Sequence, residues 1–182
     1  MRIIAVLLLF VLGEQQFCFA QFSKAKLQAT GLTCALCSKA IHEALSTLPF
    51  VEKVQADLPT SSFAIQFKKG SFQNLDLLKK EVQDAGFFVG ELVVEGKWDK
   101  EFSLSAAPFL WGEEWYQVLS TKPVKDDSPF LLAVIDKGFV TEKVFKKFAQ
   151  QYTDERFVTG YFVPDTSQPE QKKRLFHLLP VK

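Results

Sequence analysis

The spacing of apolar positions along the first half of the chain changes several times, and each change predicts an element. Apolar residues alternate with polar ones over 25–29, which predicts a strand. Between residues 37 and 48 they recur at intervals of three and four, which predicts an amphipathic helix. Pro49 ends this helix because proline cannot continue the hydrogen-bond ladder. The first three predicted elements of this half are therefore a strand, a loop and a helix.

A hairpin, a second helix and another strand follow. The apolar segment 51–58 and the alternating segment 63–67 flank a polar turn, which predicts a hairpin. Helical spacing returns over 75–85, and the apolar run 87–94 predicts a strand. The order strand, helix, strand, strand, helix, strand is that of the ferredoxin-like fold, in which both helices cover one face of an antiparallel sheet. We assign this domain to residues 21–95.

The chain beyond residue 95 has a different pattern and predicts a β-rich domain over 96–182. Strands are predicted at 102–106, 115–119, 130–135, 156–163 and 174–179, with a helix at 140–151. This order also fits a small five-stranded barrel of the OB type. The predicted class is therefore α+β, with a ferredoxin-like domain followed by a β-rich domain of unknown role.

The first 20 residues predict a secretory signal peptide. Arg2 precedes the apolar run 3–12, and small residues stand three positions and one position before a cut after Ala20. The run is shorter than the roughly 20 apolar residues that a membrane-spanning helix needs. We therefore expect an exported protein, periplasmic or extracellular, with no stable membrane span after signal cleavage.

Composition narrows the range of partners. The 182 residues carry a formal net charge of +1, and 47% are apolar, as in ordinary globular proteins. Twelve lysines and arginines balance twelve acidic residues over 98–182, although Lys143, Lys146 and Lys147 share one predicted helix. This balance does not support nucleic-acid binding.

The candidate chemistry lies at Cys34 and Cys37, which become the only cysteines of the chain if the first 20 residues are removed. A disulfide closing so small a loop adds little stability, so the spacing favours metal binding or redox exchange. Two thiolates at the start of a helix can converge on one soft ion. The helix N-terminus also favours the charged thiolate.

The segment 31–37, Gly-Leu-Thr-Cys-Ala-Leu-Cys, resembles the core of the heavy-metal-associated domain family. That family includes copper chaperones, N-terminal modules of metal-transporting ATPases and periplasmic mercury-binding proteins, and the resemblance covers residues 24–94. It implies a metal site at the two cysteines. Thr33 matches the copper and mercury members, since zinc members often carry an acidic neighbour. Leu32 replaces the family's methionine, and Phe87 stands where the family places a residue near the metal loop.

These observations predict an exported protein that binds Cu(I) through Cys34 and Cys37 and exchanges it with a donor or acceptor protein such as a transporter. Hg(II) and Zn(II) are alternative ions. We expect no catalysed reaction, because no Ser/His/Asp grouping is apparent. His42 is expected on the solvated surface, and His177 is expected to be packed or at the surface.

Two other functions remain open from the sequence. The protein could be an envelope interaction module, with the first domain as a scaffold and the second domain recognising a protein or glycan. It could also be a thiol-disulfide exchanger that uses the same two cysteines.

Overall fold

The computed structural model describes residues 22–96, 107–119 and 129–181, and these contain nine strands and four helices. The first six elements are β1 (Phe22–Thr30), α1 (Ala35–Ser46), β2 (Val51–Asp57), β3 (Ser62–Phe67), α2 (Leu75–Asp84) and β4 (Phe88–Gly96). The others are β5 (Phe109–Trp111), β6 (Glu114–Val118), β7 (Phe130–Val134), α3 (Glu142–Gln151), α4 (Glu155–Thr159), β8 (Tyr161–Phe162) and β9 (Lys173–Pro180).

The first six elements form the predicted ferredoxin-like unit. The antiparallel strands have the order β2-β3-β1-β4, so Leu27 of β1 pairs with Phe63 of β3 and with Leu92 of β4. These three side chains are fully buried, as are Ile41 of α1 and Leu78 of α2. One face of the sheet and both helices therefore share a single apolar core, as the alternation in the sequence predicts.

The C-terminal strands extend this sheet. β7 pairs with β4, for example Leu132 with Val94, and the full order is β2-β3-β1-β4-β7-β9-β6-β5, with β8 on β9. The α+β class and the β-rich character of this part are confirmed, but the sheet is open and does not close into the OB-type barrel. The physical reason is that β4 offers β7 an edge of backbone hydrogen-bonding groups, so these strands lengthen an existing sheet.

The C-terminal part of the sheet is buried on both faces. Phe130, Leu132 and Val134 of β7 belong to the main core, whereas Phe145 of α3 and Phe157 of α4 belong to a second buried cluster. Other members of that cluster are Ile135 and the half-buried Ala133 and Leu179. Helices α3 and α4 therefore pack on the sheet face opposite to α1 and α2.

The prediction of a strand over residues 156–163 is wrong for the first half of that segment. Asp154 accepts a hydrogen bond from the Arg156 N–H and caps α4, and Gly160 (φ 72°) ends this helix in the left-handed conformation. Only the two residues of β8 remain extended. The strand predicted at 102–106 and the signal peptide predicted at 1–20 lie outside the described residues.

A charged network joins α2 to the C-terminal strands. Arg174 of β9 donates from Nε to Asp76 Oδ2 of α2 (3.0 Å) and from Nη1 to Asp136 Oδ1 (3.2 Å). The buried Asp136 also accepts hydrogen bonds from His177, through the backbone N–H (2.7 Å) and through Nδ1 (3.0 Å). His177 is therefore a packed residue that orients a carboxylate.

In the part of the chain that the structure describes, no helix is both long and apolar enough to cross a membrane.

Candidate metal centre

Cys34 and Cys37 lie where β1 gives way to α1. Gly31 adopts φ 87°, a left-handed conformation that favours glycine, and it turns the chain out of β1. Cys34 has an extended backbone and is the N-cap of α1, and its Sγ accepts a hydrogen bond from the Cys37 N–H at 3.3 Å. The loop thus places one cysteine before the helix and the other in its first turn.

The two thiols point at one location. Their Sγ atoms are 2.7 Å apart, both cysteines are free, and Cys34 is exposed while Cys37 is half-exposed. A thiophilic ion arriving from solvent could contact both sulfur atoms. The same proximity brings the sulfur atoms near the roughly 2.05 Å of a disulfide bond, so oxidation is also chemically accessible.

The surroundings favour the ionised form of Cys37. The hydrogen bond with the Cys34 thiol has the largest effect and lowers the pKa of Cys37. Burial opposes it, and hydrogen bonds with the backbone and side chain of Thr33 lower the pKa further, so the net shift is downward. The thiolate is the form that ligates metals and attacks disulfides. The Cys37 sulfur is therefore prepared for ligation at a lower pH than an ordinary cysteine.

Two apolar residues beside the loop pack against the main core. Leu32 and Phe87 are half-buried against the main core, and the Phe87 ring lies 3.8 Å from where a Cβ on Gly31 would stand. Phe87 therefore lies beside the loop, as the family resemblance implies. Beside Cys34, Leu58 and Ser61 help to line a surface depression of about 270 Å³.

Among the described residues, no histidine, cysteine or carboxylate joins the two sulfur atoms in a larger ligand group. No group of three or more histidine, cysteine, aspartate or glutamate side chains lies close enough together, within 22–96, 107–119 and 129–181, to hold a metal ion. His42 donates from Nε2 to the carbonyl oxygen of Val54 at 3.2 Å and is half-buried. It ties α1 to strand β2, and the prediction of a solvated surface position is wrong for this residue. Sequence periodicity shows only which side of α1 carries it.

Sequence reasoning also missed the network of Asp76, Asp136 and Arg174. Its members are 60 and 38 residues apart along the chain, and they meet only because β9 enters the sheet between β7 and β6. An arginine within an apolar strand is the one local signal that could have indicated a buried partner.

Comparison with known proteins places the site in a family. Residues 26–88 match the model of the heavy-metal-associated domain. Over 62 residues the chain is 34% identical to a probable copper-exporting P-type ATPase of Archaeoglobus fulgidus. That match covers 34% of this chain and 8% of the ATPase, so the chain spans a small fraction of that relative's length.

Two solved structures are similar to part of the chain. A copper-binding domain from HMA7, a P-type ATPase, is 30% identical, and the match covers 42% of this chain and 99% of that domain with a TM-score of 0.34. The yeast copper transporter domain CCC2A is 26% identical, with coverages of 36% and 88% and a TM-score of 0.32.

The family match, the βαββαβ topology and the paired thiols in the loop agree with one another. Residues 26–88 of this chain are a heavy-metal-associated domain, a metal-binding module, and its sheet continues into the β-rich region that follows.

Proposed function

We propose that this protein binds one Cu(I) ion through Cys34 and Cys37 and exchanges it with a second thiol-bearing protein, such as a transporter, outside the cytoplasm. The observation that carries this proposal is the convergence of two accessible sulfur atoms, 2.7 Å apart, at the start of α1. Soft thiolate ligands favour Cu(I) over harder ions. The relatives reported above, whose names refer to copper, support the same ion.

Zinc fits this site less well. A structural zinc site usually has four protein ligands, and a catalytic one usually has three. Only two cysteines meet here among the described residues, and no carboxylate or histidine joins them. Hg(II) is thiophilic like Cu(I) and would occupy the same pair of sulfur atoms.

The exposure of the two thiols supports exchange of the ion with a partner. Two thiolate ligands leave Cu(I) with an open coordination position. A thiolate of another molecule could therefore bind the ion before either cysteine dissociates from it. The copper ion would then move by ligand exchange without becoming free in solution. The location outside the cytoplasm is part of the proposal, and the signal peptide predicted from the sequence supports it.

The test is a titration of the reduced mature chain, residues 21–182, with Cu(I) in competition with a colorimetric Cu(I) chelator. We expect one tightly bound ion per chain. The Cys34→Ser, Cys37→Ser double variant should lose this ion, because the described residues place no histidine, cysteine or carboxylate group beside the two sulfur atoms. Retention of copper by the double variant would refute the assignment of the site.

His42→Ala provides a matched control in the same helix. His42 is bonded to the Val54 carbonyl, so its removal should leave the copper affinity unchanged. A loss of affinity in this variant would show that the imidazole reaches the ion.

Thiol-disulfide exchange is the second candidate, and the short distance between the two sulfur atoms favours it. This function predicts that the protein reduces a disulfide substrate with turnover in a dithiol-dependent reductase assay in metal-free buffer. Copper exchange predicts no such turnover, so the two functions are separated by one measurement.

A further inference from the structure

A second surface depression, of about 420 Å³, lies at the edge of the sheet that β5 forms. The β5–β6 hairpin lines one side of it, and the loop 163–172 between β8 and β9 lines the other. We call it the edge depression. Its volume falls within the roughly 300–1,000 Å³ of small-molecule sites.

The floor of the edge depression is apolar. Trp115 of β6 pairs with Leu110 of β5, so both side chains point to the same face of the sheet. Leu110 is 56% exposed, and the half-buried Trp115 ring contacts the ring of Phe162 of β8, with centroids 5.1 Å apart. Because this contact holds the indole ring, the floor offers a ligand an aromatic surface in a fixed position.

The rim is polar, and its loop is held by its own hydrogen bonds. Asp165 Oδ1 accepts from the N–H and the Oγ of Ser167, at 2.9 Å and 2.7 Å. Gln171 donates from Nε2 to Gln168 Oε1 at 2.6 Å, and its backbone N–H donates to the Gln168 carbonyl at 3.0 Å. A side-chain amide has two donors and two lone pairs, so this pair keeps Gln168 Nε2 and Gln171 Oε1 for another molecule. The rim is therefore ordered before a ligand arrives, which lowers the entropic cost of binding.

The charges around the edge depression disfavour an anionic ligand. Glu113 and Asp165 contribute two carboxylates and Lys173 contributes one ammonium group, so the lining carries a net charge of −1. A nucleotide would bring a phosphate that these carboxylates repel. A wholly apolar ligand would make no use of the amides. The ligand that matches floor and rim is neutral, with one apolar face and a perimeter of hydrogen-bonding groups.

We propose that the edge depression binds a neutral sugar, with a pyranose ring stacked on Trp115 and its hydroxyl groups bonded to Gln168, Gln171 and Asp165. The face of an indole ring is electron-rich, and it attracts the weakly positive C–H groups on one face of a pyranose. Amide and carboxylate groups together accept from and donate to hydroxyl groups. Neither cysteine lines this site, so the proposal is independent of copper binding.

The test is saturation-transfer NMR on residues 21–182, with cellobiose, maltose and N,N′-diacetylchitobiose as probes and AMP as the comparison. At least one disaccharide should receive saturation from the protein, most strongly at the ring C–H groups that face the indole. AMP should bind more weakly than that disaccharide because it carries a phosphate.

Trp115→Leu keeps the floor apolar but removes the aromatic ring. This variant should bind the disaccharide about tenfold more weakly, as expected for the loss of an aromatic stacking contact. Thermal unfolding of the variant shows whether the lost contact with Phe162 also affects the fold.

The variant Gln168→Ala, Gln171→Ala tests the rim without changing the floor. Both glutamines are exposed on a loop, so the unfolding temperature should stay the same while the disaccharide binds several-fold more weakly. Gln150→Ala, Gln151→Ala is the matched control, because these glutamines are exposed on α3 and do not line the edge depression. It should bind like the unmodified chain.

Three results would overturn the proposal. The first is an absence of saturation in all three disaccharides, and the second is tighter binding of AMP. The third is unchanged sugar affinity in the Gln168, Gln171 variant, which would place any sugar elsewhere on the protein. The copper titration does not depend on any of these outcomes.

Discussion

At the scale of single residues, the reactivity of Cys37 depends on its immediate neighbours in the loop. The Cys34 thiol is the main cause of its lowered pKa, and Thr33 contributes less. The contact with Cys34 arises because this residue caps α1 and its sulfur accepts a hydrogen bond from the Cys37 N–H.

Replacing Cys34 by alanine should raise the pKa of Cys37. The hydrogen bond to the thiolate is lost, so deprotonation becomes less favourable and the thiolate appears at higher pH. The ultraviolet absorbance of the thiolate, followed during a pH titration, measures this shift. Thr33→Val should produce a smaller rise, and a larger one would contradict the order of the two causes.

Gly160 shows how one backbone position can fix a long side chain. A Cβ on this residue would stand 2.5 Å from Nη1 of Arg174, and its φ of 72° already disfavours other residues. Gly160→Ala should therefore lower the free energy of unfolding by more than the about 1–2 kcal/mol expected for a left-handed alanine.

Gly70→Ala is the matched control for that prediction. Gly70 has φ 74°, and nothing lies within 4 Å of its Cβ position, so only the backbone cost applies. Chemical denaturation of the two variants gives the difference. Equal losses of stability would show that Arg174 moves aside without cost.

At the scale of elements, the pair Asp76–Arg174 connects α2 with β9. Burial raises the pKa of Asp76, but the charge of Arg174 and the hydrogen bond and charge of Lys79 outweigh burial and lower it. Lys79 also lies over the Phe139 ring at 4.7 Å, so α2 contacts the C-terminal part at two points.

The ionised Asp76 should stabilise the fold in a pH-dependent way. Because its pKa is lower in the folded state, the contribution is complete above the unfolded pKa of about 3.9 and is lost as the pH falls through the folded value. Asp76→Asn should therefore be less stable than the unmodified chain near neutral pH, and the difference should shrink in acid. Denaturation at a series of pH values measures it. A constant difference would show that the carboxylate charge does not matter.

At the scale of the whole molecule, the heavy-metal-associated domain shares its sheet and its core with the C-terminal region. Phe22, at the start of β1, packs against the rings of Trp111 and Phe130, with centroids 4.5 Å and 6.4 Å away. β4 also pairs with β7 along its second half. The domain is therefore covered on a side that an isolated relative would leave in water.

A fragment of residues 21–96 should keep the proposed copper site but lose stability. Exposing Phe22 alone should cost about 2 kcal/mol, and the unpaired edge of β4 favours aggregation. Thermal unfolding and light scattering of the fragment and the full chain test this. Phe22→Ser should destabilise the full chain more than the fragment, and equal effects would contradict the shared core.

The ferredoxin-like unit could be predicted because the sequence patterns that indicate its strands and helices are local. Strict alternation marks β1 and β3, spacings of three and four mark α1 and α2, and the cysteine pair stands between two such segments. The loop that carries the two thiols could be predicted for the same reason, since Gly31, Cys34 and Cys37 are within seven residues of one another.

The C-terminal region was less predictable because its partners are distant. The short helix α4 occupies a segment whose apolar residues also fit a strand, and a capping Asp154 decides between the two. The sequence does not show that β7 pairs with β4 instead of closing a barrel. This pairing depends on the free edge of β4, which exists only after the first domain has folded.

The sequence by itself determined the elements of residues 22–96 and the pair of thiols, because periodicity and capping act over a few residues. Only the tertiary structure decided that Asp76, Asp136 and Arg174 meet, that His42 binds a strand, and that the sheet is continuous. These contacts join residues far apart in the chain, and they form only when burial of the shared core brings the strands together.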